Sequence, residues 1–538
     1  MGFDAIIIGS GFGGAISGCR LAQAGMKVLV LERGRRWDNK PGPGVTPYPR
    51  ELDDPWVWDQ EQPELLNGWL DLRVFRGMAV AQGAAVGGGS LIYASISVEA
   101  PEAVFKKGWP QELSKAELQP YYDQVARFMD VKPLPVNQWN PRIRLMQEGA
   151  EKIGEKGRFK QLPIAVNFRA DLTLDPANPP SAADTIYGPN QHGAVQGTCI
   201  HAGQCDIGCP VKAKNTLDVN YIAVAEKNGA EVRPLHFVRN IEKAGAGYRV
   251  HFDQLKDGQR VSGTEDARIV IVASGSLGST ELLFRCREMF KTLPNISRRL
   301  GMNWSSNGDF LVPAFYEHRE LFPEIGPTIS SAIDFLDRIR GGQSFWIEDG
   351  GMPPVFRHHM RAVQAGGGKH HPFEGLIGWL QQELQTADPF DRIMPWFAQG
   401  VDAGDAELTM QRPWFFFGEK RFDLKWDITH SLPLFKATLG AHEELSSKTG
   451  GLPLVSPFWK TELVTPHPLG GCNIGNTAQD GVVDHTGQVF GCEDLYVIDG
   501  SMVPTPLGVN PSRTIAALAE RCAKMIVQKR PVARAGAH

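Results

Sequence analysis

The sequence predicts an α/β protein in which one parallel sheet is assembled from segments that lie far apart along the chain. Three observations predict this fold: a strand, glycine turn, helix and strand at the N-terminus, an apolar strand that runs into a helix at residues 267–283, and another at residues 493–512. Because 538 residues exceed what a single core usually supports, we also expect a second domain.

The N-terminal unit, residues 3–34, reads FDAIIIGSGFGGAISGCRLAQAGMKVLVLERG. Its apolar runs predict a buried strand at Ala5–Ile8 and a second strand at Lys27–Leu31, with an amphipathic helix between them. This βαβ order predicts two parallel neighbouring strands.

The turn of this unit carries a nucleotide-binding pattern. Gly9, Gly11 and Gly14 fit G-x-G-x-x-G, in which the missing side chains allow a tight turn and let the backbone approach a pyrophosphate at the helix N-terminus. Glu32 follows the second strand, where a carboxylate can accept hydrogen bonds from ribose hydroxyls. Together these features predict a dinucleotide site. The acid disfavours NADP but leaves FAD and NAD open.

Two later segments are predicted to return to the same sheet. The first, ARIVIVASGSLGSTELL, places a strand, a small-residue turn and a helix at residues 267–283. The second adds a strand that ends at Asp499 and Gly500, followed by a helix with Asn510 as its N-cap and Pro511 in its first turn. The positive end of that helix suits the negative charge of a reduced flavin.

The composition excludes several functional classes. Sixty acidic and 56 basic residues leave a net charge of −4, which provides no electrostatic footprint for nucleic acid. Eight scattered cysteines favour a reducing compartment. Without an N-terminal leader or a run of about 18 apolar residues, we expect a cytoplasmic protein with no membrane span.

Four motifs in order resemble the glucose-methanol-choline (GMC) flavoprotein oxidoreductases. They are the N-terminal fingerprint, VGGGSLIYAS at 86–95, HPLGGC at 467–472, and LYVIDGSMVPTPLGVNPSRTIAALAER at 495–521. Within the family, VGGGSL and GVNP most resemble the bacterial cholesterol oxidase branch. The resemblance implies FAD in a discontinuous Rossmann-like domain, and an α+β substrate domain whose antiparallel sheet covers the flavin.

The resemblance also assigns cofactor contacts. Gly9, Gly11 and Gly14 are expected at the pyrophosphate, Glu32 at the ribose, Gly87 and Gly88 against the flavin, Val238 at the adenine, Asp499 and Gly500 at the pyrophosphate and ribityl region, and Pro511 and Ser512 at the start of the last helix. One position departs from the family. Tyr93 stands where members commonly carry asparagine near the flavin ring, which puts a polar contact from this position in doubt.

These motifs predict the domain organisation. We expect the FAD domain to comprise residues 1–100, 190–300 and 461–530, and the substrate domain to comprise 101–189 and 301–460. Residues 531–538, PVARAGAH, are predicted to form a disordered tail.

The resemblance implies that His467 is the catalytic base for an alcohol and that Asn510 hydrogen-bonds the same hydroxyl. An imidazole near neutral pH can accept the hydroxyl proton, which makes the adjoining carbon a better hydride donor. Pro466 and Pro468 restrict the backbone on both sides of the histidine. Taken alone, a histidine in such a loop is more often a hydrogen-bonded core residue than a catalytic one.

The predicted reaction is oxidation of a bulky apolar, sterol-like alcohol, with dioxygen or another electron acceptor reoxidising the flavin. A second hypothesis is a sugar dehydrogenase with an iron–sulfur cluster at Cys199, Cys205 and Cys209, whose C-x5-C-x3-C spacing and following proline are typical of such segments. Structural or free thiols are favoured over a cluster, and no metal site is predicted. A third hypothesis is a flavoprotein of this fold with a reaction other than alcohol oxidation.

The substrate region, residues 330–430, is the least informative part of the sequence. Its aromatic residues suit a roomy apolar cavity, although aromatics are more often plain core: Phe345, Trp346, Trp379, Trp396, Phe397, Trp414 and Phe415 to Phe417. Cholesterol oxidases use an additional carboxylate for isomerisation, and Asp391 lies in a suitable stretch without a firm assignment. The histidines at 358, 359, 370 and 371 are expected in a solvated loop and not at a metal.

Overall fold

The structure is a computed structural model, and it describes residues 2–37, 56–355, 357, 390–412 and 420–530. The predicted tail at 531–538 lies outside the described residues, as do the four histidines between 358 and 371, Trp379, Trp414 and the three following phenylalanines.

The largest sheet has seven strands drawn from distant parts of the chain. In spatial order they are Glu231–Arg233, Val28–Leu31, Phe3–Ile8, Gln259–Val272, Gly247–Lys256 and His236–Ala244, with Leu495–Val497 also paired to Gln259–Val272. The central strand, Phe3–Ile8, is parallel to both of its neighbours. The C-terminal strand pairs in parallel as well. The predicted return of these segments to one sheet is therefore confirmed, but the sheet is not all parallel, because Gly247–Lys256 pairs antiparallel with Gln259–Val272 and with His236–Ala244.

Two helices from opposite ends of the chain pack against each other beside this sheet. They are the first helix, Phe12–Gln23, and the last helix, Ser512–Lys529. Arg20 on the first helix pairs with Glu520 on the last at 2.6 Å. The prediction that Asn510 caps the last helix is wrong: Pro511 holds the N-cap position with φ −83° and ψ −13°. The first i→i−4 hydrogen bond of this helix runs from the backbone N–H of Ile515 to the carbonyl oxygen of Pro511, so the helix starts one residue later than predicted.

The second sheet has six strands and is antiparallel throughout. In spatial order they are Leu452–Pro453, Phe310–Phe315, Ile393–Gly400, Gln343–Asp349, Ser331–Arg340 and Phe159–Gln161. Helices Pro141–Lys152 and Leu432–Thr449 pack together against it. The predicted antiparallel sheet is confirmed, whereas the predicted domain boundaries stay a prediction.

A third sheet connects these two and leads into the segment that holds His467. Its strands are Leu463–Thr465, Met78–Gly83, Leu70–Phe75 and Val57–Trp58. The other α-helices among the described residues are Lys115–Phe128, Tyr221–Lys227 and Gly275–Phe284. Short strand pairs are Glu407–Gln411 with Arg421–Lys425, Lys132–Pro133 with Pro163–Ile164, and Gly188–Pro189 with Val195–Gln196.

Candidate active site

A cavity of about 520 Å³ lies where the three sheets meet. Residues that directly follow the parallel strands line one end of it, such as Gly9 after the first strand and Glu32 after the second. His467 and Asn510 line the other part. The cavity thus begins at the carboxyl ends of the parallel strands, where open α/β sheets bind ligands.

The N-terminal glycines are needed for two different reasons. Gly9 has φ +96°, and a Cβ there would lie 2.5 Å from the carbonyl oxygen of Ala273. Gly9 and Gly11 line the cavity. Gly14 does not line it within the described part of the chain; a Cβ on Gly14 would lie 2.0 Å from the oxygen of Gly9, so this glycine allows close packing of the helix on the strand.

Glu32 is a buried carboxylate tied to the glycine turn. It accepts hydrogen bonds from the backbone N–H and the hydroxyl of Ser10 at 3.0 and 2.7 Å, and from the backbone N–H of Gly34 at 2.9 Å. Burial raises its pKa, while these hydrogen bonds act in the opposite direction. The carboxylate therefore fixes the turn and also lines the cavity.

The loop that contains Gly87 and Gly88 touches the first glycine turn. Gly88 has φ +52°, and a Cβ on it would lie 2.6 Å from the Cα of Gly11. Gly88 lines the cavity, but Gly87 is not among the lining residues in the described chain. Gly87 instead donates its N–H to the hydroxyl of Ser10 at 3.0 Å.

Asp499 joins the C-terminal segment to helix Gly275–Phe284. Its carboxylate accepts from the backbone N–H of Gly275 at 2.9 Å and from the hydroxyl of Ser279 at 2.5 Å. It also accepts from the N–H and hydroxyl of Ser501. Five of the predicted cofactor contacts outside the glycine loops line the cavity: Val238, Asp499, Gly500, Pro511 and Ser512.

His467 is held by a buried carboxylate. Its Nδ1 lies 2.9 and 3.0 Å from the two oxygens of Asp309, which is 1% exposed. Thr465 supports the pair: its hydroxyl donates to Asp309 at 2.6 Å and accepts the backbone N–H of His467 at 2.9 Å. Burial raises the pKa of Asp309, and interaction with His467 opposes this effect. The ring is thereby oriented, with Nε2 left for a ligand.

Asn510 lines the same cavity with an unused acceptor. It is 5% exposed, and its Oδ1 makes no hydrogen bond to the described residues. A buried carbonyl oxygen without a donor is rare in folded proteins. A ligand with a hydrogen-bond donor would satisfy it.

Sequence reasoning missed Asp309, because 158 residues separate it from His467 and no motif surrounds it. Tyr93, in contrast, is predicted as a departure from the family, and its hydroxyl donates to the backbone oxygen of Asn215 at 2.7 Å.

Asp391 pairs with Arg357 and does not line the cavity among the described residues. The fully buried carboxyl near Asn510 is Glu348, whose pKa is raised mainly by burial.

The three-cysteine loop lies close to the site. No disulfide joins any of the eight cysteines, all of which are described. In the described ranges, no three His, Cys, Asp or Glu side chains are grouped so that they could hold a metal ion. Burial raises the pKa of Cys199 and of Cys205.

Comparison with known proteins decides the family. The N- and C-terminal profiles of the GMC oxidoreductases match residues 3–162 and 446–519. A cholesterol oxidase of Acinetobacter baumannii is 30% identical, over 98% of this chain and 95% of that protein. The chain belongs to the GMC oxidoreductase family. A long-chain-alcohol oxidase of Arabidopsis thaliana is 24% identical, over 97% of this chain and 67% of that protein.

Solved structures agree with the fold of this GMC oxidoreductase. Pyridoxine 4-oxidase from Mesorbium loti superposes with a TM-score of 0.64 at 14% sequence identity, covering 98% of this chain and 99% of that one. Family membership confirms the prediction of an FAD-dependent oxidoreductase acting on CH–OH groups, with FAD as the cofactor. Among the helices that the structure describes, none is both long and apolar enough to cross a membrane. The cytoplasmic location stays a prediction.

The cavity of this GMC oxidoreductase fits FAD. The first helix begins after Gly11 and the last after Pro511, and neither start has a side-chain cap. Both starts adjoin the cavity, so their free N–H groups can face anionic groups of a ligand. The unused Oδ1 of Asn510 adds an acceptor in the same space.

Proposed function

We propose that this GMC oxidoreductase oxidises a bulky, sterol-like apolar alcohol and that dioxygen is its electron acceptor. The observation that carries the proposal is the pairing of His467 with the buried Asp309 in a cavity that also contains Asn510. The oxidase relatives named above support both the substrate class and the acceptor.

In the proposed reaction, His467 removes the proton of the substrate hydroxyl. Nδ1 is bound to Asp309, so Nε2 is the nitrogen that can accept this proton. The negative carboxylate then stabilises the charged ring. The proton of the hydroxyl goes to Nε2, so Asn510 can only donate an Nδ2–H to the hydroxyl oxygen, which keeps the hydroxyl directed at the histidine. When bound, FAD would supply the acceptor for the hydride that leaves the carbon bearing the hydroxyl.

We further propose which residues hold the cofactor. Backbone around Gly9 and Gly11 receives the pyrophosphate, and Gly14 contributes by letting the helix approach the strand. Glu32 accepts from the ribose hydroxyls. The remaining proposed contacts are Gly87 through its hydrogen bond to the first glycine turn, Gly88, Val238, Asp499, Gly500, Pro511 and Ser512.

The apolar residues that line the cavity of His467 favour an apolar substrate. They include Ile329, Met352, Pro353, Pro395 and Phe397. The ring centroid of Phe397 lies 6.2 Å from that of His467. Burying apolar substrate surface against such walls stabilises the complex in proportion to the area removed from water.

The proposal is tested by anaerobic spectra of the purified FAD-bound protein. We expect cholesterol or a long-chain alcohol to bleach the flavin bands of the wild type, and the His467→Ala variant to bleach far more slowly, by about 10² to 10⁴ in rate. Admission of air should restore the bands. A bound flavin that no alcohol bleaches would contradict the proposal.

The same spectra address the sugar dehydrogenase hypothesis. An iron–sulfur cluster at Cys199, Cys205 and Cys209 would add broad absorption beyond the flavin bands. We expect this absorption to be absent and sugars to leave the flavin oxidised. Bleaching by sugars alone, with cluster absorption, would favour that alternative.

A further inference from the structure

Asp206 is a carboxylate that faces the cavity without belonging to the residues proposed above for FAD or for proton transfer. It lies in the short helical turn Cys205–Ile207 of the three-cysteine loop and lines the cavity together with His467. It is close enough to His467 for their charges to interact. A substrate anchored at His467 would therefore place its neighbouring atoms near this carboxylate.

Two buried cations stabilise the charge of Asp206, and the ammonium group of Lys214 and both Nη atoms of Arg142 donate to other groups. Lys214 donates to the backbone oxygens of Leu91, Tyr93 and Cys205 at 2.8, 3.2 and 2.5 Å, which accounts for its three protons. The Nη atoms of Arg142 donate to backbone oxygens as well: those of Ile325, Pro327, Thr328, Asp349 and Gly350. The carboxylate is thus charged and still open to a donor.

Thr328 provides a second polar group in the same place. It is 2% exposed, lines the cavity, and its Oγ1 makes no hydrogen bond of normal geometry to the described residues. Its hydroxyl is near enough to favour the ionised form of Asp206. The half-buried carboxylate of Asp206 and the buried hydroxyl of Thr328, which interact with each other, form a small polar patch in the cavity lining, and the carboxylate has lone pairs left for a further donor.

We propose that Asp206 and Thr328 form a second polar subsite, which binds a hydrogen-bond donor of the substrate next to the hydroxyl that is oxidised. The substrate class follows from this chemistry: a bulky apolar alcohol that carries a neighbouring hydroxyl or ammonium group. The proposal rests on the proposed function, since it takes His467 as the anchor of the reacting hydroxyl.

The ionisation of Asp206 agrees with such a role. Burial raises its pKa to about 6, while Lys214, Arg142 and His467 act in the opposite direction. Near neutral pH the group is therefore largely charged, which suits an ammonium or hydroxyl donor. Cys205 and Glu348 are the other titratable groups that interact with it.

The experiment compares binding of three probes to the FAD-bound protein: 1-decanol, 1,2-decanediol and 2-amino-1-decanol. Binding is measured by anaerobic stopped-flow mixing, from the shift of the flavin spectrum that precedes reduction, and from thermal stabilisation for probes that do not reduce the flavin. In the wild type, we expect the diol and the amino alcohol to bind at least about tenfold more tightly than the mono-alcohol, as a hydrogen bond to a charged group provides. Asp206→Leu should abolish this preference.

Asp206→Asn separates the two donors, because an amide oxygen accepts from a hydroxyl but no longer attracts the ammonium charge. We expect it to keep the preference for the diol and to lose that for the amino alcohol. Asp423→Asn, at an exposed position far along the chain, serves as the matched control. An equal preference in wild type and Asp206→Leu would overturn the subsite.

Two further outcomes are distinguishable. If Asp206→Asn lowers FAD occupancy or shifts the flavin bands without any probe, the acceptor serves the cofactor, and the subsite proposal is overturned. If no alcohol bleaches the flavin of the wild type while the binding preference is present, the proposed function fails and the subsite stands.

Discussion

Replacement of Asp309 by asparagine tests how the protein prepares His467. The carboxylate contacts Nδ1 with both oxygens, at 2.9 and 3.0 Å, and its charge balances the ring when a proton arrives at Nε2. A hydrogen bond to a charged group is worth about 1.5–3 kcal/mol. At 1.36 kcal/mol per tenfold change, its loss slows proton removal by about 10- to 150-fold.

The loss can be larger, since an amide can direct its N–H groups at Nδ1. The ring proton then moves to Nε2, which can no longer accept the proton of the substrate. The rate contribution of a general base, about 10²- to 10⁴-fold, is then lost entirely. The assay is anaerobic stopped-flow reduction of the flavin by an excess of alcohol, with FAD content matched between variants.

Thr465→Val is the control for this prediction. It removes the 2.6 Å hydrogen bond to Asp309 but leaves the carboxylate against Nδ1. We expect it to slow reduction much less than Asp309→Asn. Reduction as fast as the wild type in a fully loaded Asp309→Asn protein would refute the role assigned to the carboxylate.

Three further substitutions have predicted outcomes. Arg142→Met leaves the carbonyl groups that Arg142 now binds without a donor, and should lower the free energy of unfolding by at least about 3 kcal/mol in a denaturant titration. Burial raises the pKa of Asp206 from 3.8 to about 6, so at pH values above 6 ionisation of this carboxyl lowers the stability of the folded protein by up to about 3 kcal/mol. Asp206→Asn removes this cost and should stabilise the protein. The stabilisation should fade as the pH falls towards 4. Gly13→Ala should prevent FAD retention, because its Cβ would lie 1.6 Å from the oxygen of Ile498; a variant that purifies with a full flavin spectrum would contradict this.

The sequence predicted those parts of the molecule that short-range patterns determine. The apolar runs around Phe3–Ile8 and Val28–Leu31 predicted adjacent parallel strands, since strand, turn and helix signals there follow one another within about thirty residues. The predicted strand starts differ by one or two residues. The antiparallel sheet came only from the resemblance, because its strands show no motif of their own.

Long-range partners could not be predicted in this way. Asp309 directly precedes strand Phe310–Phe315 of the second sheet, and only the folded chain brings it to His467. The predicted cap at Asn510 is wrong for a related reason: the sequence Asn-Pro-Ser fits a helix start at two registers, and the structure has the later one, with Pro511 at the N-cap position. The side chain that looked like local capping chemistry faces the cavity instead.

The pairing of the first helix with the last also has a consequence for biosynthesis. Arg20 and Glu520 are separated by 500 residues, and strand Leu495–Val497 joins the largest sheet by pairing with Gln259–Val272. At about 5–20 residues per second, a ribosome needs roughly 25–100 s to cover that distance. The N-terminal glycine turn must therefore remain soluble without its partner for that time, and a newly made chain can capture FAD only when its translation is almost complete.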